Sequence, residues 1–288
     1  MNIFSQLHSD VSFIEFGALA ALLSQCEQRE RQVNAFMKLH ADAKEPIVTG
    51  EAPWANKLRE SLKPTVSIDH SGIATVPIHG TLAHSPDLID MLYYGVTDSQ
   101  HVVDMINKCN SDKSVKGVLL DVNSPGGMVM GGADIADAVA QIDKPKVACT
   151  SGMMASLGYM IGSQCDKVVS TRNAVVGSIG AVSSFTDFSR MVENAGVKVH
   201  TFVNKEATVK GMGIPGTGLN DTHKAYLQER VQSAFDNFKA SVLSKRPNVP
   251  ETAMKGQTYY GHEAKKVGLV DALGNMEFAK SMLREKMR

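Results

Sequence analysis

The chain has 288 residues, 43% hydrophobic and 21% charged, an ordinary globular balance that allows one substantial α/β domain with appendages. Thirty Lys/Arg balance thirty Asp/Glu to a formal charge of zero, and no run of five basic residues occurs, which argues against nucleic acid or anionic lipid as partners. The longest apolar stretch near the start, Phe16 to Leu23, falls well short of the roughly 20 residues a membrane helix needs, and no basic n-region precedes it, so a cytoplasmic protein without a membrane span is expected.

In chain order, residues 13–42 carry Ala, Leu and Met among Glu, Arg and Gln and predict a helix, followed by a Pro- and charge-bearing linker from Ala43 to Thr65. From Ser71 short apolar runs alternate with helical patterns. Ile73–His79, Val115–Val122, Lys146–Thr150, Lys167–Ser170 and Val197–Val203 read as strands, while Ile135, Val139 and Ile142 mark one face of a helix over 131–142. Such alternation predicts a mostly parallel sheet. After Gly218, Leu227, Val231, Ala234, Phe235, Phe238 and Val242 recur at helical spacing over about four turns. Gly268-Leu269-Val270-Asp271 with Gly274 then predicts a short strand and turn before a final helix. The scattered cysteines, Cys26, Cys109, Cys149 and Cys165, have no C-x-x-C spacing and read as buried reduced thiols; no metal or cofactor is expected.

Three glycine-rich turns interrupt this pattern. Asn123-Ser124-Pro125-Gly126-Gly127 follows an apolar strand, and its proline and paired glycines suit a turn with outward-pointing amides, as in an oxyanion hole; alone it reads as an ordinary β-turn. Ser151 to Tyr159 runs from a strand end into a small-residue helix start, where the Ser156 hydroxyl would lie beside free amides. Met154 excludes the G-x-S-x-G elbow, and standing alone Ser156 reads as a packing residue. The third turn, Val176-Gly177-Ser178-Ile179-Gly180, reads by itself as a structural bulge.

A nucleophilic serine needs a base. None of the nine histidines falls in a glycine-rich turn, although a triad can assemble from distant positions. A lysine can serve if its pKa drops from about 10.4 to near 7, a change of about 4.6 kcal/mol that burial without an acidic partner supplies. Lys210 is the only charged residue between Ala207 and Asn220, whereas Lys205 adjoins Glu206, which could hold the proton on it.

These turns, with Ala155-Ser156-x-Gly158-Tyr159, Lys210 followed by Gly213 and Pro215, and the closing Tyr260-Gly261-His262-Glu263-Ala264 and Gly268–Asp271, resemble the serine peptidases that comprise bacterial signal peptide peptidase A and the phage capsid-assembly (prohead) proteases. The likeness covers about residues 70–275. It implies an α/β Clp-protease/crotonase-like fold of repeated β-β-α units, here behind an N-terminal helical arm over 1–66, with the peptidase domain at 67–275 and a helical tail at 276–288. It also implies a Ser–Lys dyad: Ser156 as nucleophile, Lys210 as base, Ser178 orienting the neutral amine, and the amides of Gly126 and Leu157 holding the oxyanion. Where Clp proteases place a histidine after the serine this chain has Ile179-Gly180-Ala181-Val182, and where relatives often carry G-K-x-K it reads Asn204 to Lys210 with two residues more, which keeps Lys205 as an alternative base.

Lacking the N-terminal anchor of signal peptide peptidases, the chain is expected to act in the host cytoplasm or phage prohead. Its expected substrates are scaffold, portal and other capsid proteins during head maturation, the scaffold being a separate product, and self-assembly into a homo-oligomer follows from the same resemblance. Degradation of signal peptides is the alternative; a crotonase-type acyl-CoA enzyme or a non-catalytic capsid-associated protein stands behind it.

Overall fold

The structure is a computed structural model that describes residues 12–14, 53–214 and 216–287. Most of the helix expected over 13–42, together with Cys26 and Pro215, lies outside the described residues. At its start the expectation was wrong, because Ser12–Ile14 is a strand, β1.

The main sheet has six strands. In spatial order they are β13 (Ala272–Leu273), β10 (Lys167–Ser170), β8 (Lys146–Thr150), β6 (Gly117–Asn123), β3 (Ile73–His79) and β2 (Ser67–Ile68). All neighbours are parallel except β2, which runs antiparallel to β3. Both faces of a parallel sheet are covered, which is why its strands read as unbroken apolar runs; all five residues of β8 are buried.

Alternation along the strands divides the core in two. On one face Val76, Ile78, Val118, Leu120, Ala148 and Val168 pack against helices α3 (Ser99–Ser111), α4 (Gly132–Ala140), α5 (Leu157–Gly162) and α7 (Asp221–Lys245). On the other, Ile73, Leu119, Val147, Cys149 and Val169 meet Ala279 and Leu283 of the closing helix α9 (Met276–Lys286). Leu283 is fully buried, a side-chain transfer of about 1.5–3 kcal/mol. Asn275 begins that helix by accepting the Phe278 N–H at 3.0 Å.

Four main strands each continue into a short strand off the sheet. After β3 comes β4 (Leu82–Ala83), after β6 comes β7 (Gly126–Met128), after β8 comes β9 (Met153–Ala155), and after β10 comes β11 (Val175–Gly177). Between β4 and α3 lie α2 (Leu88–Tyr94) and β5 (Thr97–Asp98); α1 is Pro53–Leu62 and α8 is Gly261–Lys266. The short strands form two side sheets, ordered β1-β7-β4-β5 and β12-β11-β9, with β12 at Thr258–Tyr260. A main strand, a side strand and a helix is the expected β-β-α unit.

Two expectations fail downstream. Val197–Val203 forms no strand: after α6 (Ser189–Asn194) the chain runs without regular structure, and Val197, Val199, Phe202 and Val203 are exposed rather than packed. β-branched composition alone cannot hold a strand that has no neighbour to pair with. The strand expected at Gly268–Asp271 is a turn, and pairing begins at Ala272. That turn is held from both sides: Asp271 accepts Val168 N–H at 2.7 Å and Arg246 at 2.5 Å, while Tyr159 of α5 donates its hydroxyl to Leu269 O at 2.9 Å. The turn thereby anchors α5 from beneath. Cys109, Cys149 and Cys165 are free and buried.

Candidate active site

The chain leaves β8, crosses Gly152, pairs along β9 and reaches Ser156 at the mouth of α5. Ser156 has φ 52° and ψ −123°, a left-handed conformation that costs a residue with a side chain about 1–2 kcal/mol. Three bonds hold it there. Its N–H donates to Gly177 O at 2.8 Å, and its carbonyl accepts from Tyr159 N and Met160 N, both at 2.9 Å. α5 is buried throughout, so the nucleophile turn sits on a fixed base.

Ser178 lies beside it. Strands β9 and β11 pair in parallel with Gly177 opposite Ala155, and each strand ends one residue later on a serine. Ser178 has φ 53°, almost the same value as Ser156, and its N–H is held by Gln257 O at 2.8 Å. Both serines are buried. Of the described residues other than glycine, Ser85, Ser156 and Ser178 have positive φ, and two of the three stand at these neighbouring strand ends.

The turn over residues 123–127 rests on this pair of strands. Ser124 donates its N–H to Met153 O at 2.8 Å and accepts Ala155 N–H at 3.1 Å, while its hydroxyl donates to Gly80 O at 2.6 Å. Gly158 makes the approach possible, because a Cβ there would lie 3.1 Å from Ser124 O. Ser124 received no role from its sequence position; only its distant partners reveal it as the pin of the turn. Of the two amides expected at an oxyanion, Leu157 N–H is the first of α5, where no intrahelical partner exists, and Gly126 N–H donates to Ser124 Oγ at 3.1 Å.

No hydrogen bond joins Lys210 to Ser156 or Ser178. Lys210 sits exposed in a turn, its N–H bonded to Ala207 O at 3.1 Å, and no hydrogen bond or ion pair joins its side chain to another described residue. Lys205 is exposed as well. Glu206, expected to hold it, accepts from Asn204 Nδ2 at 2.9 Å instead. The deeply buried lysine of the described residues is another one: Lys146 donates to Ile142 O at 2.6 Å, and burial lowers its pKa, at a helix end away from the serines.

A histidine–aspartate pair does exist, His79 to Asp121 at 3.1 Å. Its positions alternate with the α9 side of the sheet, in phase with Ile73 and Leu119, whereas α5 packs on the opposite face. It does not complete a triad with Ser156.

A serine held in strained backbone at a helix mouth, under a glycine-rich turn and beside a second serine, lies in an α/β protein of the Clp-protease type. The family comparison is consistent: the model described as Peptidase family S49 matches residues 138–288, more than half of the chain, and a Clp protease model matches residues 91–179. The chain belongs to peptidase family S49. It is 35% identical over 196 residues to a signal peptide peptidase SppA of Enterococcus faecium, covering 66% of this chain and 56% of that one. A protease of Methanocaldococcus jannaschii is 33% identical, covering 65% and 61%. Capsid assembly protease C of Escherichia phage lambda is 29% identical over 221 residues, covering 75% of this chain and 50% of that one. The chain therefore spans between half and about three-fifths of the length of these relatives. Among the described residues no helix is long and apolar enough to cross a membrane.

Proposed function

We propose that the chain is a serine endopeptidase in which Ser156 is the nucleophile and Lys210 the base. The observation that carries this reading is the strained, buried Ser156 next to Ser178 with the Leu157 N–H at the helix mouth. Ser156 Oγ attacks the scissile carbonyl as its proton passes to Lys210 Nζ. The oxyanion is accepted by Leu157 N–H and by Gly126 N–H once that amide leaves Ser124 Oγ. Lys210 returns the proton to the departing amine, and water then cleaves the acyl-enzyme. Ser178 Oγ orients the neutral amine.

A lysine acts as a base only when its ammonium has been stripped of water. Lys210 is exposed in the single chain, on a stretch where Val182, Phe188, Met191, Val197 and Phe202 are exposed too, Phe202 to 91%. Apolar exposure on that scale calls for a cover, which self-assembly would supply while burying the lysine. Next to Ser178, a groove of about 490 Å³ lined by Ile179, Val231, Phe235 and Met254 offers space for apolar substrate side chains.

The substrates we assign are capsid-related: scaffold, portal or other head proteins cleaved during phage head maturation, inside the prohead or the host cytoplasm. The match to the lambda capsid assembly protease favours this, since it extends over more of the chain than the match to the SppA relative. The higher identity of the latter favours the second reading, degradation of signal peptides. A fluorophosphonate probe tests the site: the wild type is labelled at Ser156 and Ser156→Ala is not. A folded wild type that stays unlabelled under all assembly conditions would overturn the peptidase reading.

A further inference from the structure

We infer that residues 12–14 occupy the strand edge on which an extended peptide substrate would lie, so that the N-terminal arm competes with substrate for the site; this rests on the peptidase reading above. The inference starts from where β7 is placed. It begins two residues after Ser124, which is bonded through both its backbone groups to β9 directly before the nucleophile. β7 is therefore the strand that leads away from Ser156 along the cleft.

One edge of β7 is taken within the fold, where Gly127 pairs with Leu82 of β4. The approach is so close that a Cβ on Gly127 would stand 2.0 Å from Leu82 O. Among the described residues the other edge carries β1 alone. Ser12 lies opposite Met128, Phe13 opposite Gly127 and Ile14 opposite Gly126, antiparallel, with β1 the outermost strand of its sheet. Without β1 that edge would present unpaired N–H and C=O groups beside the nucleophile, a template for any extended chain. Main-chain pairing does not depend on which side chains are brought, so the edge accepts either the chain's own segment or a peptide substrate, and not both.

Direction adds to this. β1 runs from Met128 toward Gly126, so the arm travels along β7 toward the turn that overhangs Ser156, as a substrate strand aimed at the nucleophile does. The pairing is also easy to displace. It spans three residues, and no tight hairpin enforces it, since more than a hundred residues separate the two strands.

Two full-length variants test the competition. Adjacent residues of a strand point their N–H groups to opposite edges, so either Ser12→Pro or Phe13→Pro removes a donor from the β1–β7 pairing. Wild-type hydrolysis of a soluble peptide, absent in Ser156→Ala, first establishes the peptidase reading by itself. The Pro variant that breaks the pairing is then expected to lower KM by about threefold or more at unchanged kcat, as release of a blocked fraction requires. Hydrogen exchange at the amides of residues 126–128, read without substrate, is expected to quicken in the same variant. Unchanged KM in both variants overturns the inference, whether or not exchange changes. Exchange that stays slow in both variants overturns it as well. A chain with no hydrolysis at all fails on the earlier reading, and the exchange measurement still reports whether β1 covers β7.

Discussion

Residues 117–180 and residues 181–214 are neighbours in sequence and opposites in construction. In the first, three main strands, their side strands and two helices bury nearly every apolar side chain and force two serines into left-handed backbone. In the second, one six-residue helix is followed by irregular chain, and Val182, Val197, Val199, Val203, Phe188, Met191 and Phe202 face outward. The contrast teaches that the fold of one chain fixes both serines in place, and that on the proposed reading the base would have to come from the second region, whose apolar side chains are left exposed.

The largest expected effects separate those halves. If Lys210 is the base, Lys210→Ala should cut peptide hydrolysis by about a thousandfold or more, with no change in thermal midpoint because the exposed side chain makes no hydrogen bond or ion pair with another described residue. Lys205→Ala should leave the rate within about twofold; a thousandfold loss there instead would move the base to Lys205. Kinetics with a soluble peptide, alongside thermal melts, decide it.

Next in size is the support under the nucleophile. Arg246→Ala removes the partner of a mostly buried carboxylate and should cost about 3–5 kcal/mol by denaturant unfolding. The linked pH dependence has a definite sign. Burial by itself would raise the Asp271 pKa, but the Val168 N–H, Arg246 and Lys167 outweigh it and hold the carboxyl below its ordinary range. A depressed folded pKa gives stability that is fully present above the unfolded value of about 3.9 and is lost as pH falls through the lower folded value. The stability gap between wild type and Asp271→Asn should therefore be flat near neutrality and close below about pH 4.

The smallest effect is the most pointed. Ser156→Gly should raise stability by about 1–2 kcal/mol, by relieving the left-handed strain, while abolishing fluorophosphonate labelling. A stability loss would mean that the hydroxyl is held for packing and that the strain has no catalytic purpose.

Much of this architecture was legible beforehand. β3, β8 and β10 fall where unbroken apolar runs placed them, because strands buried on both faces need no polar alternation. The three glycine-rich turns were visible for a related reason: left-handed backbone and close chain approach demand small residues, as Gly158 against Ser124 shows. Val197–Val203 misled because β-branched composition reports a preference for pairing and not the presence of a partner.

By itself, then, the sequence determined the α/β alternation and the place of Ser156 and Ser178 in glycine-rich turns, since local backbone requirements are written in residue type, while the β-β-α repeat came from the family resemblance. Tertiary structure alone decided that those serines are neighbours, that Ser124 pins the overhanging turn, that β1 lies on β7, and that Lys210 remains in solvent. Each of these depends on chain segments far apart in sequence meeting in space, and residue type carries no record of which distant segment it will meet.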